Sequence, residues 1–369
     1  MNGHYTGAMP APDDTLLHAM KADIGRWALE LGFSDVGVTD VDLTAHAPRY
    51  QRWLDDGCHA DMTYLARNVD KRLHPDRLVD GVVRAVVVRM DYHPRDASVL
   101  SPLDDPGSGY IARYALGRDY HKVMRGRLAR LAARLTAAIA PLPHRYRVFT
   151  DSAPVLERAL AVKAGLGWVG RHSLVLNREA GSWFFLGEIL TDLPLPIDTP
   201  SPDDHCGACR ACTRVCPTDA IRPDRTVDAR RCVAWLTIEN KGAIPEPLRA
   251  AMGNRIFGCD DCQVFCPWNR DAPTTTTSDF TPRQPLVTPS LDVLFAWTEA
   301  EFLANTEGTA LRRVSYEQWQ RNLAVALGNA PPTPARESAL RARLAQASPL
   351  VAEHLRWALD QFERKNAAR

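Results

Sequence analysis

Hydrophobic positions in the first half of the chain alternate between the spacings of helices and of strands. A helical period runs from Leu16 to Leu31, and Gly32 is placed to end it. The longest predicted strands cover the β-branched run at residues 82–90 and the apolar run at 183–191. Shorter strands are predicted at residues 33–39, 146–151 and 173–177, and further helices at residues 119–140 and 153–166. This alternation predicts an α/β or α+β domain large enough to hold a cofactor.

The pattern changes in the second half of the chain. Residues 192–204 are rich in proline, which is typical of a linker, and a second low-complexity connection covers residues 271–285. Residues 289–369 look helical throughout, and residues 312–330 resemble one HEAT-like unit. A small helical cap explains the same pattern equally well, because solenoids usually need about three or more repeats. The predicted fold class is α+β, with an N-terminal α/β domain at 1–195, a ferredoxin-like domain at 196–270 and an α-helical, HEAT-like region at 286–369.

Composition is that of an ordinary soluble globular protein, with 45% hydrophobic and 24% charged residues among 369. No uninterrupted apolar run reaches the roughly 18 residues of a membrane-spanning helix. The first residues lack the basic and apolar regions of a secretory signal, so we expect a cytoplasmic protein. A net charge of +1 excludes a globally basic nucleic-acid binder but leaves room for a local basic patch.

Cysteine spacing provides the strongest signal. Eight of the nine cysteines fall between Cys206 and Cys266, and clustered cysteines in a cytosolic chain are metal ligands more often than disulfides. The first group is C-x2-C-x2-C-x3-C-P, beginning at Cys206 and ending at Cys216. This is the spacing of two-cluster bacterial ferredoxins, in which the fourth cysteine binds the other cluster.

The second group follows the same template with one ligand missing. Its three cysteines end at Cys266, and Ile256 occupies the place of the first ligand. Cys232 lies upstream and is the natural replacement. The resulting crossed assignment gives one [4Fe–4S] cluster Cys206, Cys209, Cys212 and Cys266, and the other Cys216, Cys232, Cys259 and Cys262. Two structural zinc sites are the alternative, although those usually pair C-x2-C knuckles. Cys58 is predicted to be a thiol with no role.

Two clusters pass one electron at a time, so a centre for two-electron chemistry is expected in the N-terminal domain. The glycines at Gly165, Gly167 and Gly170 match the dinucleotide fingerprint G-x-G-x-x-G. We discount this match because the fingerprint should follow a strand and open a helix, whereas here a helical pattern precedes it and a strand follows.

Four long segments, at residues 71–92, 110–125, 150–193 and 231–270, resemble the epoxyqueuosine reductase family, and the likeness runs from about residue 15 to residue 330. The resemblance implies a cytoplasmic, cobalamin-dependent enzyme with two [4Fe–4S] clusters. Such an enzyme converts epoxyqueuosine to queuosine at the wobble position of tRNA. The N-terminal domain would then be the corrinoid-binding one.

The histidine signature D-x-H-x-x-G of methyltransferase-type corrinoid proteins is missing. Its nearest counterpart begins at Asp91 and has Asp96 in place of the glycine. We therefore predict that cobalamin binds base-off, without a histidine of the protein on its lower face. An axial position would then stay free for chemistry.

Asp151 is the predicted proton donor. Removing an epoxide oxygen as water consumes two electrons and two protons, and a general acid contributes roughly 10²–10⁴-fold. The resemblance assigns this role to the aspartate of the segment TDSAP, which is Asp151 here. Residue type and position alone favour a helix N-cap instead. As a donor, Asp151 would need a raised pKa, from burial with little compensating charge.

Other site residues are predicted from the same segments. Contacts with cobalamin are expected from Arg72, Tyr114, Asp151, His172 and Val175, although ordinary packing explains all but Asp151 equally well. The polar cluster Asp119, Tyr120 and His121 lies near the same pocket or simply begins a helix.

A tRNA substrate needs phosphate contacts. Candidate cations in the helix after the DYH cluster are Arg118, Lys122, Arg125, Arg127 and Arg130. A second group in the C-terminal region comprises Arg312, Arg313 and Arg321. The remaining expectations are a low-potential electron donor of the ferredoxin or flavodoxin type, no membrane and a monomer.

Two rival functions stay open. A corrinoid reductive dehalogenase would share the cofactors, but the missing export signal and the basic helical extension count against it. An electron-transfer ferredoxin without enzymatic activity would leave the large N-terminal domain without a purpose.

Overall fold

The computed structural model describes residues 13–95, 97–200 and 204–367. Two sequence predictions fall outside these ranges: the comparison with the D-x-H-x-x-G signature, which involves Asp96, and the interpretation of residues 1–12 as lacking a secretory signal. Its helices are α1 (Asp14–Glu30), α2 (Ala47–Asp55), α3 (Thr63–Ala66), α4 (Val69–Leu73), α5 (Tyr120–Ala138), α6 (Glu157–Lys163), α7 (Ala211–Val215), α8 (Val233–Ile238), α9 (Glu246–Met252), α10 (Asp261–Val264), α11 (Leu291–Ala296), α12 (Glu299–Asn305), α13 (Tyr316–Asn329), α14 (Pro334–Leu344) and α15 (Pro349–Ala367). Its strands are β1 (Asp35–Asp40), β2 (Arg84–Asp91), β3 (Tyr110–Ile111), β4 (Tyr146–Phe149), β5 (Trp168–Val169), β6 (Val175–Leu176), β7 (Phe184–Thr191) and β8 (Arg255–Phe257).

The N-terminal half is built on a four-stranded sheet with the order β1-β2-β7-β4. Every pair in this sheet is antiparallel. The sequence prediction of helices alternating with strands is confirmed, but the label α/β is wrong in its usual sense, which implies parallel strands. With an antiparallel sheet, this half is also α+β.

Helices cover both faces of the sheet. On one face, α1 and α5 pack on alternate residues of the central strands, such as Val86, Val88 and Ile189. On the other face, α6 packs on the intervening residues, such as Val87 and Leu190. Because β2 and β7 are buried on both faces, they have the continuous apolar runs that made them predictable.

The connection from β4 to α6 departs from the prediction. A helix was expected over residues 153–166, but α6 spans only Glu157–Lys163, and residues 150–156 form a loop instead. The glycine-rich segment after α6 serves a tight hairpin of β5 and β6. At Gly167, a Cβ atom would lie 2.0 Å from the carbonyl oxygen of Leu176, so only glycine fits. This packing supports discounting the dinucleotide fingerprint.

The cysteine-bearing segment and the C-terminal helices share one hydrophobic core. Leu236 and Phe257 from the former pack with Trp319 and Leu355 from the latter. Helix α13 begins with a capping box between Ser315 and Gln318. The division into domains at 196–270 and 286–369, and the HEAT-like character of the second, stay predictions.

Among the described residues, no helix combines the length and apolar character that crossing a membrane requires.

Candidate functional site

Asp151 lies in the loop between β4 and α6 and adopts a left-handed backbone conformation, with φ +58°. Its backbone N–H donates to the carboxylate of Glu157 in the first turn of α6. The N-cap position of α6 belongs to Leu156, not to Asp151. The helix-cap interpretation of Asp151 is therefore wrong, and this carboxyl group is available for another role.

The start of α5 presents three polar side chains to the same place. Asp119 is the N-cap of α5, where its carboxylate accepts from the backbone N–H of His121. The same carboxylate lies 2.8 Å from Nδ1 of His121. The ring of Tyr120 is stacked on Phe185 of β7 with centroids 4.1 Å apart. Tyr120 and His121 are thus fixed by a helix terminus and by the sheet.

These groups meet at one oxygen of Asp151. Tyr120 donates its hydroxyl proton to Oδ2 of Asp151 at 2.8 Å, and Nε2 of His121 lies 2.8 Å from the same atom. A continuous hydrogen-bonded chain therefore runs from Asp119 through His121 to Asp151. The Asp151 side chain is 57% exposed, so the end of this chain opens to solvent.

The electrostatics of the chain differ from the expectation. Burial by itself would raise the pKa of Asp151, but hydrogen bonds from His121 and Tyr120 outweigh it, so the pKa is lowered. Burial opposes the charge on His121, yet its bonds to Asp151 and Asp119 outweigh burial and raise the pKa of the imidazole. The predicted raised pKa of Asp151 is thus wrong, because His121 supplies the compensating charge that the sequence argument assumed to be missing.

Arg72 and Tyr114 lie near the hydrogen-bonded chain of Asp151. Arg72 is buried, donates through Nη2 to the carbonyl oxygen of Tyr64 at 3.1 Å, and leaves Nε without a partner. The ring of Tyr114 packs edge-on against Tyr120 at 5.9 Å. Burial raises the pKa of Tyr64 to about 12, and Asp151 and Arg72 are among the charges that act on its hydroxyl.

His172 and Val175 belong to the hairpin of β5 and β6. Val175 is buried in the core beneath the sheet, at 4% exposure. His172 is buried too, its Nδ1 accepts from the backbone N–H of Leu174, and burial lowers its pKa to about 4. Nε2 of His172 has no hydrogen-bond partner within the described residues. The structure shows no contact of either residue with Asp151 in the part of the chain it describes.

The polar groups of this region fit a cobalamin molecule. Arg72 and His172 each leave a buried ring or guanidine nitrogen unpaired, which is costly unless a ligand accepts or donates there. A corrinoid carries amide and phosphate groups around a large apolar ring, so it supplies such partners. These two residues therefore fit the group, although no contact with it has been observed.

The cysteines form two neighbourhoods that match the crossed assignment. Cys266 packs with Cys206, Trp168 and Leu176. The charges that act on Cys266 come from Cys206, Cys212 and Cys209, in that order. The last cysteine of the second motif thus lies among the first three of the first motif.

The second neighbourhood is complementary. The cysteines whose charges act on Cys262 are Cys232, Cys216 and Cys212, and Cys262 in turn acts on Cys259. Cys232, which the sequence offered as a replacement ligand, therefore lies beside Cys262 and Cys216. This grouping supports the four predicted ligands of the second cluster.

Burial of these thiols outweighs the compensating charge that the protein supplies, such as that of Arg255 beside Cys259. Burial raises the pKa of Cys266 to about 11 and the pKa of Cys259 and Cys262 well above the ordinary value. An iron–sulfur cluster provides the positive charge that thiolates need, so this donor set fits one. In the described parts of the chain, no three Cys, His, Asp or Glu side chains are gathered as tightly as a single metal ion requires.

Two of the predicted RNA-binding cations are withdrawn from the surface into contacts within the protein. Arg321 is completely buried and donates to the carbonyl oxygens of Leu236, Asn240 and Gly242. Arg127 donates to the carbonyl oxygen of Leu31 and to the carboxylate of Asp279. Arg321 is therefore wrong as an RNA contact, and Arg127 is committed to joining α5 to its neighbours.

The other cations are better placed. Lys122, Arg125 and Arg130 are exposed on α5. Arg312 donates to a backbone carbonyl and Arg313 to Glu239, and Arg313 is close enough to act on the charge of Asp151. Arg313 therefore brings positive charge near Asp151.

An open cleft of about 540 Å³ lies between α5 and the C-terminal helices. Its lining includes Arg118, Lys122, Arg283, Asn305, Glu307 and Gly308. The carbonyl oxygen of Gly308 accepts from the backbone N–H of Asp119 at 2.8 Å. This cleft therefore adjoins the helix terminus that carries His121.

Sequence reasoning missed the carboxyl groups beneath the Asp151 loop. Glu188 is fully buried in β7, and Glu157 begins α6. The one available signal was a glutamate within the otherwise apolar run of residues 183–191.

Comparison with known families defines the class of protein. Residues 205–269 match the family described as "4Fe-4S double cluster binding domain". Residues 72–152 match the family described as "Epoxyqueuosine reductase QueG, DUF1730", and this range ends directly after Asp151. The chain is thus an iron–sulfur oxidoreductase.

Individual relatives narrow the class. The epoxyqueuosine reductase of Escherichia coli (strain K12) is 53% identical over 352 residues, which cover 95% of this chain and 92% of the relative. The chain belongs to the epoxyqueuosine reductase family.

Solved structures agree over nearly the whole chain. A crystal structure of epoxyqueuosine reductase with a tRNA-Tyr epoxyqueuosine-modified stem loop has a TM-score of 0.83 at 25% identity, covering 94% of this chain and 91% of the other. The Bacillus subtilis enzyme, with its aspartate-bearing catalytic loop swung out of the active site, has a TM-score of 0.82 at 26% identity and covers the same shares.

Proposed function

We propose that this protein reduces epoxyqueuosine to queuosine at the wobble position of tRNA, using cobalamin and two [4Fe–4S] clusters. Membership of the family supports the reaction, and one observation supports the site. Both Tyr120 and His121 converge on a single oxygen of Asp151, whose side chain is open to solvent. This is the arrangement that a proton-delivering carboxyl group needs.

The chain from Asp119 to Asp151 explains how a carboxyl group with a lowered pKa can still deliver a proton. The resting proton lies on His121, between two carboxylates. When negative charge develops on the departing oxygen, Asp151 passes on the proton that it draws from His121. Tyr120 fixes the orientation of the carboxyl group. Asp151 is the catalytic residue, and Asp119 positions and polarises the imidazole.

Cobalamin is the cofactor that we assign to the region around Asp151. Arg72, Tyr114, Asp151, His172 and Val175 would hold it, with Arg72 and His172 as hydrogen-bonding partners and Val175 as an apolar neighbour. Binding would be base-off. A bound corrinoid supplies strongly reducing or nucleophilic cobalt. The residues of this chain bind the substrate and deliver protons.

Electrons reach this region through the clusters. Cys209 is the exposed ligand of the first cluster, where a ferredoxin or flavodoxin type of donor would deliver them. The second cluster is the better candidate for the inner position. Tyr114, which packs against Tyr120, also packs against Phe257, two residues before Cys259. We expect the protein to act as a monomer in the cytoplasm.

The tRNA would approach along the cleft between α5 and the C-terminal helices. Arg118 and Lys122 line it, and Arg125, Arg130, Arg312 and Arg313 lie outside it as further phosphate contacts. The wobble base would have to leave its stack to reach Asp151, as single-stranded RNA bases usually do on recognition. The relative solved with a modified tRNA stem loop supports this mode of substrate binding.

Anaerobic incubation of epoxyqueuosine-containing tRNA with the reconstituted protein, cobalamin and a strong reductant tests the proposal. We expect mass spectrometry of the nucleosides to show loss of one oxygen atom, dependent on cobalamin. The control omits cobalamin from the same protein. Unchanged tRNA, with bound cobalamin and reduced clusters verified, would contradict the proposal, and turnover of a halogenated compound instead would favour the dehalogenase alternative.

A further inference from the structure

Glu188 places a carboxyl group where the fold otherwise has only apolar side chains. It lies at the centre of β7, opposite Val87 of β2 on one side and Phe149 of β4 on the other. Val87 and Phe149 belong to the core between the sheet and α6. Glu188 is 0% exposed, and within the described residues no N–H or hydroxyl group donates to either of its carboxyl oxygens. An isolated ionised carboxylate in such a place is very costly.

Glu157 is the group that faces it. This residue lies in the first turn of α6, directly above the central strand, and its carboxyl group interacts with that of Glu188. Glu157 also accepts the backbone N–H of Asp151. The two glutamates thus connect the middle of the sheet to the loop that carries the proposed proton donor.

No cation forms an ion pair with either glutamate in the part of the chain that the structure describes, and the charge of Arg158 acts on Glu157 less than burial and Asp151 do. On α6, Arg158 is close but donates to the carbonyl oxygen of Ser173, and Lys163 pairs with Asp40. On α5, His121 is directed at Asp151. The loop contributes only Asp151, a third negative charge.

Two facing carboxyl groups in an apolar layer cannot both ionise at little cost, so one proton stays between them. Burial, and then the charge of the neighbouring glutamate, raise the pKa of Glu188. Burial, and then the charge of Asp151, raise the pKa of Glu157. The shared proton suits a pair that must accept one more hydrogen bond, from the N–H of Asp151.

We propose that Glu157 and Glu188 share one proton, and that this neutralised pair is a positioning device that holds the Asp151 loop against His121 and Tyr120. The inference rests on the function proposed for Asp151. Neither glutamate touches the substrate; each acts through the backbone of Asp151.

The backbone of Asp151 explains why the loop needs such a hold. The left-handed region is disfavoured for a residue with a side chain, and such a conformation persists where surrounding contacts impose it. The bond to Glu157 is one of those contacts. Loss of the shared proton would place two like charges face to face, drive Glu157 away from Glu188 and release the loop.

Glu188→Gln provides the first test, because the amide preserves the shape and removes the titration. The control is Glu179→Gln, which removes an exposed carboxylate elsewhere. We expect the wild-type infrared spectrum at neutral pH to contain the C=O band of a protonated carboxylic acid, and Glu188→Gln, but not Glu179→Gln, to lose it. Retention of this band in Glu188→Gln would overturn the shared proton.

Hydrogen exchange of residues 150–156, corrected for intrinsic rates, measures the hold on the loop. In the wild type we expect protection to fall several-fold as pH rises above neutrality, whereas in Glu188→Gln it should stay constant. Equal pH dependence in both proteins would overturn the positioning role. Because no substrate is present, this result is independent of whether the protein reduces epoxyqueuosine.

Substitution of Glu157 tests the consequence for turnover. Glu157→Ala removes the acceptor of the Asp151 N–H and should lower kcat at least tenfold at every pH, with KM for tRNA and iron content unchanged. Glu157→Gln retains an acceptor oxygen and should restore most of the activity. Equal loss in both variants would show that Glu157 does not act through this hydrogen bond. An inactive wild type would instead overturn the proposed function.

Discussion

The Asp151 centre and the cysteine neighbourhoods both concentrate acidic groups in partly buried places, yet they are compensated differently. At Asp151, the protein supplies its own cation, because His121 bonds to two carboxylates and the pKa of Asp151 falls. Around Cys262, neighbouring thiols only add to the effect of burial, and the pKa rises. The first region is complete as a proton-handling device, whereas the second needs a metal cluster to become stable in its ionised form.

This difference separates two tasks of one reaction. Proton transfer needs groups whose charges exchange among side chains, and the chain Asp119–His121–Asp151 offers that. Electron transfer needs a group whose charge changes without proton movement, which an iron–sulfur cluster held by thiolates provides. Substitutions in one region should therefore leave the other intact.

Asp151→Asn should have the largest effect. The amide keeps the shape of the side chain but cannot pass on a proton, so we expect kcat to fall by roughly 10²–10⁴-fold. Iron content and the absorption spectrum of bound cobalamin should match the wild type. Single-turnover assays on epoxyqueuosine-containing tRNA measure the loss, and near-normal turnover would remove Asp151 from the mechanism.

The two regions also differ in how far the sequence predicted them. Seven of the eight proposed cysteine ligands lie at fixed short spacings along the chain. The crossed assignment could therefore be predicted from the sequence, with Cys232 added as the nearest remaining cysteine. The site around Asp151 is assembled from α5, from the loop after β4 and from β7, which are far apart along the chain. The sequence suggested Asp151 through resemblance alone and could not reveal that His121 would reverse its pKa shift.

Burial was likewise unpredictable where polar residues turn inward. Arg321 sits on a helix that looks amphipathic, and its role as a donor to three carbonyl oxygens appears only when α13 packs against α8. Glu188 looked like an irregularity in a strand. In both cases, the helices and strands that pack against the residue decide whether its side chain is buried. The spacing of hydrophobic residues along the sequence does not contain that information.

Cys232→Ser should have the second-largest effect, confined to the cysteine region. Because a serine hydroxyl is a poor ligand for iron, we expect iron content to fall by up to one of the two clusters. Turnover should fall with it, while cobalamin binding persists. Iron analysis and electron paramagnetic resonance of the reduced protein measure this. Full loading of both clusters would refute the crossed ligand assignment.

His121→Gln should have an intermediate effect on the Asp151 region. The imidazole pKa is raised above its ordinary value of 6.5, so in the wild type the proton on His121 persists to higher pH and is lost as pH rises through this raised pKa. Without the imidazolium, only Tyr120 and Arg313 offset the burial of Asp151, so the pKa of Asp151 should rise. We expect kcat to fall about tenfold, less than the roughly 10²–10⁴-fold loss expected for the general acid itself, because Asp151 remains. The alkaline limb of its pH profile should also move. An unchanged profile would exclude His121 from proton delivery.

Cys58→Ser should have the smallest effect. It tests whether the cysteine that is not assigned to a cluster is also unnecessary for iron binding. Cys58 is fully buried, lies outside both cysteine neighbourhoods and has a cation of the protein beside it. Nη1 of Arg222 donates to its sulfur at 2.8 Å and to the carboxylate of Asp56 at 2.6 Å. A thiol that already has such a partner needs no metal, so iron content and turnover should equal those of the wild type. The serine hydroxyl can accept the same hydrogen bond, so the free energy of unfolding should change by about 1 kcal/mol or less. A measurable loss of iron would mean that Cys58 belongs with the cluster ligands.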